Sequence, residues 1–157
     1  MKQIARLSDK NILEQANRIA DLIQYADKIS RSENPSSQLA SALLYGNIAE
    51  YYCSSLLTWI TLSINFALHS VRNDTDLVSA EEEDKTNLES TTRKLKLFNF
   101  PMKAEVLKNI KEIKDIRNEL FHNLLTPKKE WNTSSLTKRL KTKTLTLIET
   151  INKIRGY

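Results

Sequence analysis

Glycine is nearly missing from this chain. Of its 157 residues only Gly46 and Gly156 are glycine, and only Pro35, Pro101 and Pro127 are proline. Tight turns consume both residue types, so a β-rich fold with many chain reversals is excluded and helices are indicated. Cysteine is as scarce: the lone Cys53 rules out an internal disulfide and a four-cysteine zinc site. Only two histidines are present, His69 and His122, so even a mixed metal site would have to draw on carboxylates. No metal and no cofactor is therefore expected. The opening MKQIARLSDK has no apolar stretch after its basic residues, so it does not read as a signal peptide and a cytoplasmic protein is expected.

Charge is also missing from one long stretch. Residues 51–71 contain no Asp, Glu, Lys or Arg, and that length could cross a membrane. The same stretch carries Ser54, Ser55, Thr58, Thr61, Ser63, Asn65, His69 and Ser70, and its strong apolar residues favour one face. A buried core helix is the expectation, and no membrane partner.

What is there is a helical rhythm. A first helix is expected from Ser8 or Asp9 to about Arg31, with Ile12, Leu13, Ala16, Ile19, Ala20, Ile23 and Ala26 at helical spacing. Residues 32–37 form a turn around Pro35. A long second helix covers residues 36–71, a polar loop 72–79, and a short charged helix 80–97, broken at 99–101. A fourth helix covers 102–124, with Pro127 beyond its end. Ser134 or Ser135 caps a fifth, 134–154, with Gly156 past its end. The expected fold is all-α, a single-domain bundle of about five helices spanning residues 1–157.

Two charges stand where apolar residues belong. On the fourth helix, at about 100° per residue, Ile110, Ile113, Leu120, Phe121 and Leu124 share a stripe, and Arg117 falls inside it. On the second, Leu39, Ala42, Leu43, Gly46, Ala49, Cys53, Leu57, Ile60 and Ile64 share a stripe with Glu50 in its middle. A buried guanidinium needs a partner, so Glu50 and Arg117 are expected to meet. Such a pair can simply fix helix register, or it can hold Arg117 for an anionic substrate; both can hold together. His122 lies roughly 140° around the helix from Arg117, and Asn118 lies one turn before it on the same flank.

The run Asp115-Ile116-Arg117-Asn118-Glu119-Leu120-Phe121-His122-Asn123 resembles the signature of the HEPN superfamily: an Arg, a polar residue, three more residues, then His, near the end of a late helix. Arg117, Asn118 and His122 match its three positions, and residue-level matching is confined to this motif. The resemblance implies a HEPN-like bundle that forms a homodimer with two motifs in one cleft. It also implies a metal-independent endoribonuclease, often a toxin or phage-defence effector. Members that have lost activity bind RNA or regulate a protein partner, which is the second reading. Toxins of this kind that are neutralised by a nucleotidyltransferase antitoxin carry Tyr two residues after the His. Leu124 stands there in this chain, so modification at that position is excluded, and nothing marks Tyr51, Tyr52 or Tyr157 as a replacement. An antitoxin or regulatory partner of another kind stays open.

The chemistry suits these side chains. Cleaving RNA requires an activated 2′-hydroxyl, a protonated leaving oxygen and a stabilised phosphorane. His122 is the candidate base or acid. Arg117 offers a bidentate fork to the phosphate oxygens, and Asn118 would orient the substrate or the histidine. A symmetric dimer supplies the second histidine that two proton transfers need. The charge distribution points the same way: residues 1–78 hold 7 basic and 8 acidic side chains, whereas residues 126–157 hold 8 basic and 2 acidic. Alone, that excess fits a polyanion or a solvated lysine face equally. With the motif, Lys114, Lys128, Lys129, Lys138 and Arg139 become candidate RNA contacts.

Overall fold

A computed structural model describes residues 2–69, 87–125 and 133–156. Among them every regular element is a helix: α1 (Lys2–Ser30), α2 (Pro35–His69), α3 (Leu88–Leu97), α4 (Lys103–Leu125) and α5 (Thr133–Arg155). The all-α class and the five helices are thus as the composition and periodicity predict.

The helix ends show where local chemistry overrides periodicity. α1 already runs at Lys2, so Ser8 and Asp9 lie within it and do not start it. No glycine or proline stands between Lys2 and Asp9 to stop the helix from extending. α2 starts on Pro35, whose fixed φ and missing N–H suit a first helical position. The Asn34 side chain accepts from the Ser36 amide at 2.9 Å and so satisfies one of the free first-turn donors. α3 starts at Leu88, later than residue 80, because extended Asn87 caps it and accepts from the Ser90 amide at 2.9 Å. Residues 70–86, including the expected loop at 72–79, lie outside the described residues. α5 starts at Thr133, so neither Ser134 nor Ser135 is its cap. The run Asn132-Thr133-Ser134-Ser135 offers four cap-competent side chains, and the local pattern alone does not choose between them. Gly156, at φ +84°, closes α5 with its amide on the Lys153 carbonyl at 3.2 Å.

The chain divides into two compact units. One comprises Met1–Ile48 with Ile116–Lys141, the other Ala49–Asp115 with Thr142–Tyr157. All three boundaries fall inside helices, so α2, α4 and α5 each contribute to both units.

In the first unit Ala26, Ala42, Tyr45, Ile48, Ile116, Leu120, Leu136 and Leu140 are buried. Polar ties join its helices. Ser41 donates to the Ala26 carbonyl at 2.8 Å, and Thr137 donates to the Gln38 carbonyl at 3.1 Å. Asp27 of α1 accepts from the Tyr45 hydroxyl and pairs with the Lys141 ammonium at 2.6 Å. In the second unit the core is Ala49, Cys53, Leu56, Ile60, Leu88, Leu95, Val106, Ile110, Ile113, Leu147 and Ile151.

Several stripe assignments are corrected. Phe121 is 47% exposed, and Leu43 is also exposed, so neither is core; Tyr45, outside the expected stripe, is fully buried. On α2 the buried arc is centred between Ala42 and Tyr45, which leaves Glu50 on its shoulder and not in its middle, half-buried. Leu39, Leu57 and Ile64 are also only half-buried. The charge-free stretch is not a core helix all round. Its Tyr51, Trp59, Leu62 and Phe66 are exposed, whereas Cys53, Leu56 and Ile60 are buried. Among the described residues no helix is long and apolar enough to cross a membrane.

Candidate active site

Arg117 sits two turns before the end of α4, half-buried in the first unit. It packs against Gly46 on α2. A Cβ placed at Gly46 would lie 3.3 Å from both Cδ and Nε of Arg117 and 3.6 Å from Cζ. The arginine stem therefore packs close against the α2 backbone, where the Cβ of any other residue would crowd it. Glycine inside a helix costs roughly 1 kcal/mol relative to alanine. One of only two glycines in the chain thus stands at a helix interior, where it makes room for a cation.

Arg117 also forms one wall of a recess lined otherwise by Leu39, Ala42, Leu43, Leu120 and Phe121. The recess is small, about 240 Å³ including the part open to solvent. Asn118 and His122 are both exposed, and His122 lies in the last turn of α4. Because α4 is continuous to Leu125, these side chains occupy fixed angular positions. Taking Arg117 as zero, Phe121, Asn118 and His122 follow at roughly 40°, 100° and 140° around the axis. The three motif residues thus lie on one connected arc of the helix, grading from half-buried guanidinium to exposed imidazole.

The remaining candidates are distributed more widely. Glu50 belongs to the second unit. There burial pushes the Cys53 thiol up to about 12, and the negative charge of Glu50 adds to the effect. Cys53 is therefore a structural thiol and not a nucleophile. Lys114, also in the second unit, lies 3.8 Å from Glu89. In the first unit Lys138 is exposed, and Arg139 pairs with Glu119 at 3.4 Å, which partly neutralises the carboxylate that follows Asn118. Lys128 and Lys129 lie outside the described residues, as does the side chain of Leu124. Among the described residues no group of three or more His, Cys, Asp or Glu could hold a metal ion.

Sequence reasoning placed Gly46 among the apolar residues and missed its role. The signal available was its oddity: a helix-interior glycine in a chain that otherwise avoids glycine calls for a packing reason. The place of Phe121 at the surface of the recess was missed for the opposite reason, since its angular position fits a core stripe. No protein-family model matches the chain, and no curated protein or solved structure matches it either.

Proposed function

We propose that this protein is a metal-independent endoribonuclease of HEPN type, acting in the cytoplasm as a toxin or phage-defence effector through a composite site in a homodimer. The observation that carries the reading is the seating of Arg117 against Gly46, on the same helical arc as exposed Asn118 and His122. An arginine confined in this way presents its fork in a restricted set of directions, as phosphate recognition requires. One His122 then takes the 2′-hydroxyl proton, the same histidine of a second copy protonates the leaving 5′-oxygen, and Arg117 stabilises the charge that develops on the phosphorane. Asn118 orients substrate or imidazole. The roughly 140° between Arg117 and His122 on one helix favours a site completed by a second copy.

The test compares wild type with His122→Ala and Arg117→Ala on RNA in excess EDTA. Wild type should cleave and leave a 2′,3′-cyclic phosphate or 3′-phosphate; both variants should be inactive. His122→Ala should keep its helical content and melting temperature, because His122 is exposed. Light scattering should show a dimer. An active, folded His122→Ala protein, or products ending in a 3′-hydroxyl, would overturn the reading. Salt-dependent RNA binding without cleavage would move the protein to the non-catalytic RNA-binding class.

A further inference from the structure

Phe121 is a large apolar side chain left 47% exposed beside buried Leu120, at the mouth of the recess that Arg117 helps to line. It also stands between the proposed phosphate-binding and proton-transferring groups: at roughly 40° it lies on the arc from Arg117 to Asn118 and His122. A substrate seated on Arg117 therefore lies beside it. Phe121 lies about 6 Å further along the axis than Arg117, a separation of the same order as that between a nucleobase and its own phosphate.

Resting on the ribonuclease reading, we propose that Phe121 stacks a nucleobase adjacent to the phosphate held by Arg117, with Leu39, Ala42 and Leu43 as the apolar floor. The occupant follows from the chemistry of the walls. A nucleotide brings a flat apolar face with an anion beside it, and the recess offers a flat aromatic ring with a guanidinium beside it. The small volume suits a ring lying over the recess better than a side chain inserted into it. Stacking is indifferent to base identity, since every base has a π-face. The site therefore selects an unpaired nucleotide and not a sequence, because a base inside a duplex has no free face to offer.

The test uses the His122→Ala protein, which leaves RNA intact, and two probes: a short oligouridine and an abasic ribose-phosphate oligomer of the same length. Adding Phe121→Ala should weaken oligouridine binding about 5- to 150-fold, the range of one lost base–aromatic stack. Phe121→Trp should retain it. The abasic oligomer should bind more weakly throughout and be indifferent to Phe121→Ala. The slope of affinity against salt should not change, because no phosphate contact is removed. Equal losses on both probes would overturn the proposal. So would conversion of a dimer to a monomer by Phe121→Ala, which would assign the recess to a second copy of the chain. Cleavage by the His122-intact protein that ignores Phe121→Ala would sink this proposal alone; failure to bind either probe would sink the ribonuclease reading with it.

Discussion

At the scale of single residues, a small side chain governs a large one. Gly46 has no Cβ, and the Arg117 stem lies 3.3 Å from where one would be. Adding that methyl acts in two directions. Alanine favours the helix by up to about 1 kcal/mol over glycine, while its Cβ at 3.3 Å forces Arg117 to shift by a few tenths of an ångström. Gly46→Ala should therefore leave the melting temperature unchanged or slightly raised. On the proposed ribonuclease reading it should lower RNA cleavage at least tenfold, since small misplacements of a positioning group are costly in rate. Parallel melting and cleavage measurements check this, and full activity in a folded Gly46→Ala protein would show that Arg117 yields freely. The angular period of α4 made Arg117 legible as a charge among apolar neighbours. The contact with Gly46 was not legible, because no local pattern says which turn of α2 faces which turn of α4.

At the scale of elements, the helices are set mainly by their ends. The junction between α3 and α4 is compressed. Lys103 donates to the carbonyls of Lys96 (2.7 Å) and Phe98 (2.6 Å), placing a cation at the C-terminal end of α3, where free carbonyls and the helix dipole favour it. Met102 precedes α4 at φ +57°, and its carbonyl accepts from the Val106 amide at 3.0 Å. A left-handed conformation costs an L-residue roughly 1–2 kcal/mol, part of which glycine would recover after its larger loss of chain entropy. Met102→Gly should thus raise stability by about 0.5–1 kcal/mol, read as a higher denaturation midpoint with unchanged slope. A lower midpoint would mean that the half-exposed Met102 side chain contributes more by packing than its backbone costs. Proline at 101 announced the break in the sequence; the left-handed residue after it did not, because methionine carries no signal for that conformation.

At the scale of the whole molecule, charge placement makes stability depend on pH. Burial acts to raise the Asp27 carboxyl, but the Lys141 ammonium and the Tyr45 hydroxyl outweigh it, with Arg31 adding to them, and the group lies below its ordinary range. A depressed carboxylate contributes stability that is complete above its unfolded-state pKa and lost as pH falls through the folded-state value. Asp27→Asn should therefore cost about 1–3 kcal/mol at neutral pH, as expected when a hydrogen-bonded charge is removed. The gap between variant and wild type should close as the solution is acidified below the ordinary carboxylate range. Denaturant titrations across that range provide the measurement, and a gap that is constant with pH would show that the Asp27 charge adds nothing. The sequence by itself determined the all-α class, the five helices of the described residues and the arginine set among apolar residues of α4, because all three follow from composition and a 3.6-residue period. Only the tertiary structure decided that Tyr45 is core and Phe121 is surface, that Glu50 lies on a shoulder, and that Gly46 receives Arg117. Those outcomes depend on which helices pack against which, and a period measured along one helix carries no information about its neighbours.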